Sequence, residues 1–156
     1  MADPMLVRDA IDEQDWVLLR LLRHNARASV AELAVAAGLA PSSVHERIRR
    51  LERRGVIRRW TVDLDPHAIG TPVTAFVGVD AEAPSAQVAR ALREVAGIDE
   101  CHSMAGGPSF LLKVRVTDPE ALLTLVDELR GIPGVTGVRP SVALRTHFER
   151  GPQPVR

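Results

Sequence analysis

Apolar residues recur at helical spacing three times within residues 11–55, and each run carries its own start and stop signals. Asp12 precedes "EQDWVLLRLLRHN", where Trp16, Leu19 and Leu22 share a face with Leu18 beside them. An Asp at the N-cap and acids in the first turn suit the positive end of a helix dipole. Ser29 and Glu32 form an S-x-x-E capping box ahead of "LAVAAG", which Gly38 closes. For the third helix, Pro41 can be the first helical residue, or Ser43 and Glu46 can form a capping box two residues later. Its buried stripe is narrow: Val44, Ile48 and Leu51, at i, i+4 and i+7. After Gly55 the pattern changes to "VIRRWTVDLDP", which alternates as a half-exposed strand does. "DLDPHAIG", punctuated by Pro66 and Gly70, then reads as a connector. The pattern predicts an N-terminal domain over 1–62, a hinge over 63–71 and a second domain over 72–156.

The second half repeats itself faintly at an offset of 37 residues. Val77 and Val79 recur as Val114 and Val116, Val88 and Leu92 as Leu125 and Leu129, and "AGI" at 96–98 as "PGV" at 133–135. Each copy reads strand, helix, strand, so two copies make the ferredoxin-like βαββαβ plan, with two helices on one face of an antiparallel sheet. The strands are apolar on both alternations, Phe76 beside Val77 and Leu111 beside Leu112, so the face without helices also needs cover. No third layer fits in the chain. A homodimer through the sheets is the expected answer.

Charge sharpens this picture. The 156-residue chain is formally neutral, yet residues 41–60 hold seven Arg against two Glu, while 1–40 and 61–156 are net acidic. Positive charge confined to one helix and its sequel points to a localised anionic partner. On the third helix Ser42, Glu46, Arg49, Arg50 and Arg53 point away from the apolar stripe, with Ser43 and His45 beside them. Short hydroxyls at a helix start followed by Arg suit a helix whose N-terminal end enters the DNA major groove. The candidate DNA-binding residues are therefore Ser42, Ser43, His45, Glu46, Arg47, Arg49, Arg50, Arg53, Arg54, Arg58 and Arg59, the last two on an "IRRW" strand read as a wing. Arg47, Arg58 and Arg59 are expected to grip phosphates. The predicted class is α+β: a winged helix-turn-helix followed by a ferredoxin-like domain.

Taken together, "IDEQDWVLLRLLRHNARASVAELAVAAGLAPSSVHERIRRLERRGVIRRWTVDLDPHAIG", "ECHSMAGGPSFLLKVRV" and "IPGVTGV" resemble the Lrp/AsnC, or feast/famine, transcriptional regulators, from about Ile11 to Arg145. The ordered combination of "RRLERRGVI", "DPHAIG", "CH-x-MAGG" and "PGV" carries the resemblance. It implies double-stranded DNA as partner, a homodimer that commonly assembles into an octamer, and an amino acid or other small molecule as effector. It also implies an effector loop at Met104, Ala105, Gly106, Gly107, Pro108 and Ser109. Family members often carry a G-[DE]-[YF]-D-like sequence there. Gly107, Pro108 and Ser109 stand in its place, so the loop lacks an acid for an ammonium group, although free backbone N–H groups can hold a carboxylate. The plainer reading is a tight hairpin that needs Gly for positive φ. Two alternatives come from other classes: an enzyme on the same scaffold, resembling siroheme decarboxylases, and a ligand sensor acting through a partner protein.

Other chemistry is sparse. Cys101, the sole cysteine, permits no internal disulfide, and a reducing cytoplasm fits. Cys101 and His102 are neighbours on a strand and face opposite ways, which separates a nucleophile from its base. The five His lack ligand spacing, and "GG" at 106–107 lacks the Lys-Ser/Thr of a phosphate loop, so no metal, cofactor or catalytic residue is expected. Arg139 and Arg145 either reach the effector pocket or guard a strand edge. The acidic N-terminus has no signal-peptide core, and no apolar run nears the roughly 20 residues of a membrane span. A cytoplasmic protein without membrane association is expected.

Overall fold

The computed structural model describes residues 11–82 and 85–152; the domain limits expected at residues 1 and 156, and most of the acidic N-terminus, lie outside them. Two compact units are present, residues 11–62 with 150–152, and Asp63–Glu149.

The first unit holds α1 (Glu13–His24), α2 (Val30–Ala37) and α3 (Pro41–Arg53). Both expected caps form. Asp12 accepts from the Asp15 amide at 2.9 Å while Asp15 accepts in return, and Ser29 and Glu32 do the same at 3.2 and 2.7 Å. Gly38 ends α2 at φ 64°, the left-handed cap that glycine adopts without a Cβ penalty. Of the two starts open for α3, the earlier is found: Pro41 follows Ala40, whose side chain offers no cap. Proline pre-sets the helical φ and needs no N–H partner there. Leu18, Leu22, Leu33, Ala34 and Val44 form the core, with Ile48 and Ile57 packed against it.

Two expectations are corrected in this unit. The buried face of α1 is Asp15, Leu18 and Leu22, whereas Trp16 and Leu19 are half-exposed. "IRRW" joins no ladder: among the described residues, 57–65 contain no strand. A strand needs a neighbour to satisfy its backbone, and the described residues of the first unit include no strand to pair with it. What orders Trp60 is its indole N–H, which donates to Glu52 on α3 at 2.7 Å.

The second unit runs β1 (Val73–Ala81), α4 (Ser85–Glu94), β2 (Ile98–Ser103), β3 (Phe110–Val116), α5 (Pro119–Arg130) and β4 (Val135–Val142). The sheet order is β2-β3-β1-β4 with every neighbouring pair antiparallel, which is the ferredoxin-like plan. Ala75, Val77 and Val79 on β1 and Phe110, Leu112 and Val114 on β3 are buried with Val88 and Leu92 of α4 and Leu125 and Leu129 of α5. The other face carries Phe76, Leu111, Lys113 and Arg115, and Glu149 reaches back to pair with both cations.

The 37-residue repeat is structural. Its strand valines and helix residues are all buried, and both turn glycines are left-handed, Gly97 at φ 82° and Gly134 at φ 91°. A Cβ on Gly97 would stand 3.1 Å from the Arg115 carbonyl oxygen. Gly97→Ala is therefore expected to destabilise the second unit by roughly 1–3 kcal/mol, strain and contact together. Urea denaturation should show a lower midpoint at constant slope, and an unchanged midpoint would mean that the turn relaxes freely.

Candidate nucleic-acid interface

At about 100° per residue, Ser42, His45, Glu46, Arg49 and Arg53 fall on one narrow arc of α3, and all five are exposed. Ser43, Arg47, Arg50 and Arg54 stand on one shoulder of that arc and are half-buried. Arg58 and Arg59 are exposed on the irregular segment that follows. Pro41 and the Gly38 turn set where the arc begins; Val44 and Leu51, both fully buried, mark the opposite face.

Two residues expected to face an anion are engaged inside the unit. Arg47 Nη1 donates to Asp15 Oδ1 at 2.8 Å and also to Asp12. Arg50 Nη2 donates to both Asp15 oxygens, at 3.0 and 2.8 Å. The Asp15 side chain is fully buried, while those of Arg47 and Arg50 are 22% and 39% exposed. A carboxylate out of water must be paired, and losing its partners typically costs about 3–5 kcal/mol. These two Arg therefore serve the packing of α3 on α1. The Arg47 guanidinium holds the Asp12 carboxyl below its ordinary value, helped by the Asp15 amide.

Asp12 and Asp15 were not singled out as site residues. The signal was present: Ile11, Asp15, Leu18 and Leu22 follow i, i+4, i+7, i+11, so Asp15 occupies a core position in an otherwise apolar stripe.

In the second unit the Met104–Ser109 loop closes the β2–β3 hairpin, with the Met104 amide donating to the Ser109 carbonyl at 3.1 Å. Gly106 and Gly107 have φ of 90° and 70°, and a Cβ on either would meet open space. The loop is seated on β1. Pro108 lies over Gly78, where a Cβ would come within 3.3 Å of the ring, and the Ser109 hydroxyl accepts from the Ala81 amide at 3.1 Å. Met104, Ala105 and the two glycines are exposed, Pro108 and Ser109 half-buried.

Residues 11–52 match the AsnC-type helix-turn-helix domain, and residues 74–153 match the Lrp/AsnC ligand binding domain. An HTH-type transcriptional regulator of Pyrococcus horikoshii is 33% identical over 96% of this chain and all of its own length. LrpA of Mycobacterium tuberculosis is 36% identical over 91% of this chain and 95% of its own. The feast or famine regulatory protein of Mycobacterium tuberculosis, solved in complex with L-methionine, superposes with a TM-score of 0.83 at 35% identity, over 89% of this chain and 95% of that one. This chain belongs to the Lrp/AsnC family. It is a DNA-binding transcriptional regulator and not an enzyme.

The remaining candidates fit an Lrp/AsnC regulator without further chemistry. Strand register places Cys101 opposite Leu112 and His102 opposite Leu111, so the two side chains leave opposite faces. Burial pushes the Cys101 thiol up, away from the thiolate a nucleophile needs. Arg139 is paired with Asp80 and stands opposite Gly78 on β4, and Arg145 lines a cavity of about 650 Å³ with Asp63, Asp65, His67 and Glu149. Among the described residues no cluster of three or more His, Cys, Asp or Glu could hold a metal ion, and no helix is long and apolar enough to cross a membrane.

The lowered Asp12 pKa makes stability depend on pH. A carboxyl whose folded-state value lies below its ordinary 3.8 contributes fully above that pH and loses its contribution as pH falls through the folded value. Because Asp12 is half-exposed the effect is small. Below about pH 4, the melting temperature of the wild-type first unit is expected to fall more steeply than that of Asp12→Asn. Parallel profiles for the two proteins would remove Asp12 from the acid response.

Proposed function

We propose that α3 is the reading helix of this regulator and enters the DNA major groove by its N-terminal end. The observation that carries this is the exposed arc of Ser42, His45, Glu46, Arg49 and Arg53 on the most basic segment of the chain. Ser43 and Arg54 flank the arc, and Arg58 and Arg59 supply phosphate contacts beyond it. Arg47 and Arg50 act on DNA through the placement of α3. The regulator works in the cytoplasm as a homodimer that assembles further, to an octamer in the family's usual manner. Phe76, 43% exposed on the helix-free sheet face beside half-buried Leu111, supports dimerisation through that face. Residues 63–71 serve as the hinge between the DNA-binding and effector domains.

The effector is an amino acid held near Met104–Ser109. The support is twofold: two relatives, the Mycobacterium tuberculosis protein and a Neisseria meningitidis regulator, were solved with L-methionine, and consecutive left-handed glycines leave an open loop. Because the loop lacks an acid, its backbone N–H groups take the carboxylate and the ammonium group finds its partner elsewhere. Binding that favours one assembly or head spacing over another then changes DNA affinity.

Replacing Arg49 and Arg53 together by Ala is expected to weaken binding to a duplex selected with the wild-type protein by about 10- to 100-fold. Size-exclusion chromatography with light scattering should find the oligomer intact; retained affinity would take the reading role from α3. For the effector, methionine or another member of an amino-acid panel should raise the melting temperature, equivalent to roughly 2.7 kcal/mol at a hundredfold excess over Kd. Ser109→Ala, which frees the loop from Ala81, should diminish that shift, and an undiminished shift would place the ligand elsewhere.

A further inference from the structure

Asp15 is the one polar or charged residue fully buried among the described residues, and it binds two cations where one would neutralise it. Asp12 completes a group of two carboxylates and two guanidiniums in which charge balances. Arg47 and Arg50 stand beside the exposed arc of α3, within a segment whose net charge is +5 by sequence and +3 once Asp12 and Asp15 are counted. A phosphate that draws either Arg away from α1 strips partners from a carboxylate that water does not reach.

We infer that Asp15 is a positioning residue that sets DNA specificity, by withholding Arg47 and Arg50 from phosphates and locking the rotation of α3 against α1. The inference rests on α3 being the reading helix. Phosphate contacts raise affinity for every sequence alike, whereas base contacts separate one sequence from another. Withholding two Arg lowers general affinity and leaves discrimination to Ser42, His45, Glu46, Arg49 and Arg53. Locking the helix keeps those five side chains in one register with the base edges.

The test compares a duplex selected with the wild-type protein against a mixed-sequence duplex of equal length, over a salt series, using the full chain. In Asp15→Asn/Arg47→Gln/Arg50→Gln no buried charge is left unpaired. Its slope of log affinity against log salt is expected to equal the wild type's; a slope shallower by about 2 would mean that both Arg touch phosphates and would overturn the inference. Asp15→Asn alone should release the two Arg. Its slope should steepen by up to about 2, mixed-sequence affinity should rise, and preference for the selected duplex should drop about tenfold or more. A folded Asp15→Asn protein that loses affinity for both duplexes equally, at unchanged slope, has lost only structure and also overturns the inference. If circular dichroism shows Asp15→Asn unfolded, the triple variant decides. Arg49→Ala in the same assay tests the underlying reading separately: kept preference for the selected duplex removes α3 from base readout, whatever Asp15 does.

Discussion

One buried carboxylate governs the geometry of the DNA-binding unit. Asp15 sits in the stripe that α1 turns to the core, between Ile11 and Leu18, where an apolar residue would be the simpler choice. Burying a charge there is tolerated because Arg47 and Arg50 supply hydrogen bonds to both oxygens, and those bonds join the first helix to the third. Apolar packing of Val44 and Leu51 resists separation of the helices but is non-directional. The ion pairs add direction. They tie α3 to α1 at two points one turn apart, and the outward arc of Ser42, His45, Glu46, Arg49 and Arg53 inherits its orientation from them.

The second unit is held by different means. Its core is wholly apolar among the described residues, with two strand-helix-strand halves meeting through the central pair β1 and β3. Identical demands at equivalent turns put glycine at 97 and 134, each left-handed. The hairpin loop at Met104–Ser109 shares this rigidity at one end, where Pro108 fills the space above Gly78 and Ser109 bonds to Ala81, and is open at the other, where Gly106 and Gly107 expose backbone.

Much of this was legible in order of residues. Capping boxes at Asp12 and Ser29, the Gly38 turn and the 37-residue repeat are short-range signals, and each element they predict is present. Failures came where an outcome depended on a partner. "IRRW" alternates like a strand, but alternation does not provide the neighbour a ladder requires. Trp16 and Leu19 look like core, yet the helix turns Asp15, Leu18 and Leu22 inward, because the charge at 15 is met by cations more than thirty residues away.

By itself, then, the sequence determined what local stereochemistry and periodicity can specify: where helices start and stop, which strands share a sheet, and that positive charge is concentrated on one helix. The family resemblance lay in the same local features. Only the tertiary structure decided which of those charges are exposed. Arg47, Arg49, Arg50 and Arg53 are chemically alike and nearly adjacent in the chain, and spacing alone sets Arg50 with Arg49 and Arg53 on the outward face, yet Arg50 is held with Arg47. The division between arginines that face outward and arginines that are held comes from a carboxylate on another helix; periodicity marks Asp15 as a charge in an apolar stripe but does not name the distant partners that meet it.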